Sequence, residues 1–126
     1  MATSAEFKDF VLDCLERARS EMRLNVRFET RKMFGEYCVY AFEGGVKKVL
    51  FLLCAELVFV KKFETLAEFA SQNAGYFDTG FPFEGAREHY ILDVENAEFL
   101  GEFLQILLPL LPKVKPKKPK KAKMQK

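Results

Sequence analysis

The sequence predicts an α+β fold: an antiparallel meander sheet of about five strands with an N-terminal, a middle and a C-terminal helix packed on it. Three observations carry this. Residues 3–22 set apolar side chains at the spacing of one helix face. Residues 26–62 change to alternation with period two, broken by short turn signals. Beyond residue 62 the chain returns twice to a helical pattern, each time behind a capping residue.

In the first helix Phe7, Phe10, Val11, Cys14, Leu15, Ala18 and Met22 form the apolar stripe, while Lys8, Asp9, Asp13, Glu16, Arg17 and Arg19 take the other face. Thr3 with Glu6 three residues later reads as a capping box. Val26, Phe28 and Thr30 then alternate with Arg27, Glu29 and Arg31, as a half-buried strand does. Gly35-Glu36 breaks that run, and Cys38 to Phe42 is the next strand. Glu43-Gly44-Gly45 marks a turn into Lys48–Cys54, and Ala55-Glu56 a second turn into Leu57–Lys62. Connections this short join antiparallel neighbours, because a parallel crossover needs about a dozen residues. Four strands in a meander follow. Val49 to Cys54 is apolar at every position, which predicts a central strand covered on both faces.

Thr65 with Glu68 opens a second helix that closes near Asn73-Ala74-Gly75. Tyr76 to Gly85 (YFDTGFPFEG) reads as an aromatic loop, and His89 to Val94 as a fifth short strand. Asn96 caps a third helix that buries Phe99, Leu100, Phe103, Leu104 and Leu107, and Pro109 ends or kinks it. Residues 1–111 are thus expected to be one folded unit. The remaining 112–126, PKVKPKKPKKAKMQK, are too poor in apolar side chains to offset ordering entropy, and are expected to be a disordered basic tail.

Composition narrows the function classes. The net charge of +2 conceals a split: eight of the 20 basic residues lie after Pro112, leaving 12 against 18 acids before it, a charge of −6. Fourteen Phe and no Trp suit a core, since Phe has no polar handle. Cys14, Cys38 and Cys54 lack a C-x-x-C pair and fall at apolar positions. They read as buried thiols of a reducing cytoplasm, with no metal or other cofactor expected. The first residues carry no basic and apolar leader pattern, and no apolar run approaches the ~18–20 residues of a membrane span.

Arg31 to Tyr40, RKMFGEYCVY, is by its physics a strand–turn–strand corner. One glycine with no helix after it cannot form a phosphate-binding nest. As part of an ordered set it carries a family resemblance. An amphipathic helix, a strand ending Arg31-x-Met33-Phe34-Gly35, and Tyr37 with Tyr40 are followed by Phe51 and by Leu57 to Lys61. Pro82-Phe83, Tyr90 and Asp93-Val94 complete the set, which resembles the TfoX (Sxy) N-terminal domain family of bacterial competence regulators over residues 3–108. The chain departs from the family's pattern with Glu36 and Cys38 at glycine positions, added Lys47 and Lys48, and a basic tail in place of a second helical domain. The resemblance implies an α+β domain without enzymatic activity, engaged in transcription-linked protein interactions.

The residues themselves offer two candidate surfaces. Lys113, Lys115, Lys117, Lys118, Lys120, Lys121, Lys123 and Lys126 would attract nucleic acid or another acidic partner by counterion release. Anionic lipid, the chain's own acidic body, or simple solubilisation are the alternatives for that tail. Tyr76, Phe77, Phe81 and Phe83 either cap the core or leave an exposed patch for a protein partner, an apolar ligand or a homodimer. His89, the only histidine, has no evident catalytic partner. Asp9, Asp13 and Glu16 read as an ordinary solvated helix face.

Overall fold

A computed structural model describes residues 3–33 and 35–112. The chain runs α1 (Ala5–Met22), β1 (Arg27–Met33), β2 (Glu36–Glu43), β3 (Val46–Cys54), β4 (Leu57–Lys61), α2 (Ala67–Gln72), β5 (Phe77–Gly80), β6 (His89–Leu92) and α3 (Ala97–Leu107), with single 3-10 turns around α2 and after α3. The α+β class and the antiparallel meander are as expected. The sheet has six strands, in the order β1-β2-β3-β4-β6-β5, every neighbour antiparallel.

The additional strand is β5, which pairs Phe77–Gly80 with His89–Leu92 inside the expected aromatic loop. Its glycine reads as a loop signal but serves a close approach. A Cβ on Gly80 would lie 2.8 Å from Ile91 Cδ1 and 3.7 Å from a ring carbon of Phe59.

α1 starts one residue later than the capping-box pattern suggests. Ser4 is the N-cap, its Oγ accepting from the Phe7 N–H at 3.0 Å. Thr3 is buried instead, and its hydroxyl ties α1 to the sheet. It accepts from the Glu56 N–H at 3.3 Å and shares its single proton between Glu36 Oε1 at 2.9 Å and the Leu53 carbonyl at 3.1 Å. Glu56 completes the junction by accepting from the Ser4 N–H at 2.6 Å. The second expected box also differs. Thr65 lies in a 3-10 turn, and α2 begins at Ala67 without a side-chain cap. Asn96 does cap α3, accepting from the Phe99 N–H at 3.0 Å.

One face of the sheet meets the helices. Val39, Ala41, Phe51, Leu53, Val58 and Val60 join Val11, Leu15, Leu100, Phe103, Leu104 and Leu107 in a single buried cluster. α1 crosses α3 so closely at Gly101 that a Cβ there would lie 2.3 Å from Met22 Cγ. Lys48 closes the far end of α3, donating from Nζ to the Leu108 carbonyl at 2.9 Å and to Glu43 at 3.2 Å.

The uninterrupted apolar run of β3 has a different origin from the one expected. A bulge opposite Val39 and Tyr40 leaves Leu50 unpaired, and both Leu50 and Phe51 enter the core. β3 is internal to the sheet, but helices cover it on one face only. On the other, Val49 is exposed and Leu52 half-buried.

Candidate interaction surface

Register builds the face that the helices leave open. Arg31, Cys38, Leu52, Phe59, Ile91 and Asp78 lie side by side across all six strands in one continuous row. Directly opposed residues of antiparallel strands project on the same side, so the whole row shares this face. Cys38, Cys54 and Phe59 are the buried apolar residues that stand outside the main core cluster. Neighbouring side chains of the sheet and the β5–β6 loop bury them, without a helix layer above.

That loop, residues 81–88, splits the aromatic candidates. Tyr76 and Phe77 turn inward: Tyr76 stacks on Phe99 with ring centres 4.0 Å apart, and Phe77 stands edge-on to Phe103 at 5.5 Å and Tyr90 at 5.1 Å. Both are half-buried and pack against the core cluster. Phe81 and Phe83 project outward with 61% and 60% of their surface exposed. Lys62 fastens the loop to β4 through Glu88 at 2.9 Å, and His89 Nδ1 lies 2.8 Å from the Arg87 carbonyl. The His89 ring meets Phe59 edge-on at 6.4 Å.

Phe83 stands between two hollows on the open face. One, of about 350 Å³, is lined by Met33, Glu36, Tyr37, Leu52, Cys54 and Phe83. The second, of about 220 Å³, runs beneath the loop past Leu52, Phe83 and Ala86 and the charged or polar Lys61, Lys62, Arg87, Glu88 and His89. A third, of about 230 Å³, opens where β3 and β4 part beyond the Leu52–Phe59 pair. Leu52 borders all three, so they flank one residue in a shallow trough, apolar at Leu52, Phe59 and Phe83 and charged at Lys61, Lys62, Arg87 and Glu88. Leu111 and Pro112 line its far end. The eight candidate lysines from Lys113 to Lys126 lie outside the described residues, as does Phe34 of the corner motif.

The trough's chemistry suits contact more than reaction. Burial pushes the Cys38 thiol up, and pushes Cys54 up to about 11, helped by the nearby Glu36 carboxylate. Both are therefore thiols at neutral pH, not nucleophilic thiolates. Desolvation also raises the Tyr40 hydroxyl, with the neighbouring Cys38 adding to the shift. Asp13 and Glu16 are engaged with Arg17 and Arg19 on the solvated face of α1. Among the described residues no three His, Cys, Asp or Glu side chains group as a metal site, and no helix is long and apolar enough to cross a membrane.

Sequence patterning finds Phe81 and Phe83 but misses Met33, Leu52, Cys54 and Phe59 as parts of a surface. The available signal is the apolar run of β3, set against too few helices to cover both faces of a sheet. Patterning also misses Lys47 and Lys48. Lys48 caps α3, and Lys47 lies 4.1 Å from the centre of the Tyr40 ring. In comparisons with protein-family models, curated proteins and solved structures, nothing matches this chain.

Proposed function

We propose that this chain is a non-enzymatic, TfoX-N-terminal-like interaction domain that holds an apolar segment of a protein partner in the trough on its open sheet face. The observation that carries the reading is the row Cys38–Leu52–Phe59–Ile91, left without a helix layer and bordered by the exposed Phe83. Uncovered aromatic and aliphatic clusters are the chemistry of protein interfaces. A small apolar ligand fits less well, because such sites enclose roughly 70–90% of the ligand, whereas the aromatics here stand well out in solvent.

Photo-crosslinking in producing cells tests this. A photoreactive residue placed at Phe83 or at Met33 is expected to give the same discrete adduct, lost with Leu52→Asp in chain shown to be folded by circular dichroism. The same probe at Arg17, exposed on α1, is the control. No adduct from either trough position, or the same adducts from Arg17, would sink the reading.

A second reading concerns the basic tail. Eight lysines with no acid among them follow Pro112 in the sequence, and Pro112 itself lines the end of the trough. We infer that they add a sequence-independent hold on nucleic acid next to the bound partner. Full-length chain should bind fluorescent duplex DNA with affinity falling as about the 0.9 power of salt for each phosphate neutralised. Chain ending at Leu111 should not bind. Equal binding by both, or by neither, removes nucleic acid from the account.

A further inference from the structure

We infer that β1 is a self-complementary edge, through which two copies of this chain pair into one continuous sheet of twice six strands. β1 ends the sheet, and all seven of its residues pair with β2 on one side only. Met33 and Glu36, with two residues between them in the sequence, form the last pair of this ladder. Alternation along the ladder from that pair points the odd-numbered backbone groups of β1 at β2. The N–H and C=O of Phe28, Thr30 and Lys32 therefore point outward. Among the described residues they have no other hydrogen-bond partner.

A second β1, antiparallel about a two-fold axis at Thr30, meets those groups with its own. Phe28 faces Lys32 of the other copy and Thr30 faces Thr30, giving six backbone hydrogen bonds from the three outward residues on each side. On the open face, Glu29 falls opposite Arg31 of the other copy, and this happens twice. Arg31 has no carboxylate partner among the described residues of its own chain. Glu29 is held by its neighbour Arg27 and would be shared between that residue and the Arg31 across the axis. Opposite charges set directly across strands stabilise pairing, and like charges oppose it.

The charges also select the register. Moving the axis to Glu29 would oppose Glu29 to Glu29 and Arg27 to Arg31. Moving it to Arg31 would oppose Arg31 to itself and leave Glu29 facing Met33. Centring on Thr30 also pairs the full strand, Arg27 with Met33 at each end. β1 has neither proline nor glycine to blunt it, whereas the opposite edge, β5, has four residues and ends at Gly80. In the pair, the two open faces join into one.

Sedimentation of the full chain up to its highest soluble concentration tests the pairing. The expected mass is twice the 14.6 kDa of one chain. Thr30→Pro removes one outward N–H without touching the β2 ladder, and should give a folded species of half that mass. Glu29→Arg alone and Arg31→Glu alone should each weaken association, and the double exchange should restore it. A monomer at every concentration overturns the inference. So does a dimer indifferent to Thr30→Pro, or a double exchange that fails to rescue, each read against circular dichroism showing the variant folded.

Discussion

The two faces of this sheet are built from similar residues yet are treated differently. On the covered face, Val39, Phe51, Leu53 and Val60 lie under α1 and α3 and lose nearly all contact with solvent. On the open face, Cys38, Cys54 and Phe59 are equally buried, but Met33, Val49 and Phe83, beside them, remain 40–60% exposed. An apolar face left unsealed contributes less to folding than it could, since burial is worth roughly 25 cal/mol per Å². The difference assigns stability to one side of the sheet and recognition to the other. Substitutions on the first should move the melting temperature; those on the second should move binding and leave melting nearly still.

The largest expected effect is on the covered side. Phe103 is fully buried and lies within 6.1 Å, ring centre to ring centre, of Phe69, Phe77 and Phe99. Phe103→Ala should cost about 3–5 kcal/mol in urea unfolding, the usual range for emptying such a site. Phe83→Ala on the open side should stay within about 0.5 kcal/mol, as surface changes do. Comparable losses from the two variants would erase the distinction between the faces.

Next comes the junction that holds α1 against the sheet. Thr3→Val keeps the shape but leaves the Glu56 N–H and the Leu53 carbonyl without the hydroxyl they now share. The expected loss is about 1–3 kcal/mol, the penalty of stranding buried polar groups. Thr3→Ser keeps the hydroxyl and should recover most of it. Equal loss in both variants would mean that the methyl group, not the hydrogen bonds, secures the junction.

How much of this was legible in the sequence depended on whether the cause was local. α1, the four-strand meander and the Asn96 cap follow from period and capping chemistry, and all are present. β5 was not legible, because Gly80 is there for the bulk of Ile91 and Phe59, which only the fold brings near. Thr3 and Ser4 both satisfy the local capping rule. Which of them caps is decided by Glu36, Leu53 and Glu56, between 33 and 53 residues away. The site was half legible for the same reason. All four aromatics of residues 76–83 look alike in the sequence, and only the position of α3 and β6 draws Tyr76 and Phe77 inward.

A smaller effect, of opposite sign, is expected in the β3–β4 turn. Ala55 and Glu56 hold φ of 52° and 63°, a left-handed region that costs an L-residue strain. The equivalent β2–β3 turn uses Gly44 and Gly45 at φ of 59° and 79°. Ala55→Gly should therefore stabilise by about 0.5–1 kcal/mol, the relief of strain exceeding the added unfolded-state entropy. Because Ala55 is exposed and lines none of the trough's hollows, thermal unfolding should rise while crosslinking at Phe83 stays unchanged. A lower melting temperature would show that the turn is held without strain.

The smallest effect concerns the loop that carries Phe83. The Glu88 carboxyl is lowered from its ordinary 4.5 by its hydrogen bond and charge pairing with Lys62, which is itself raised in turn. A carboxyl lowered in the folded state contributes above its unfolded pKa and loses that contribution as pH falls through the folded value. The fastening should thus be complete near neutrality and should loosen only below the ordinary carboxylate range. Both groups are solvent-exposed, so global stability should barely register the change. Amide resonances of residues 81–88 should titrate together in acid, while those of the covered face do not move. Glu88→Gln should abolish that titration and leave the melting temperature in place. If the loop resonances stay fixed through the acid range, the Lys62–Glu88 pair is not what holds Phe83 over the trough, and the strand pairing of β5 with β6 on either side of the loop is the fastening instead.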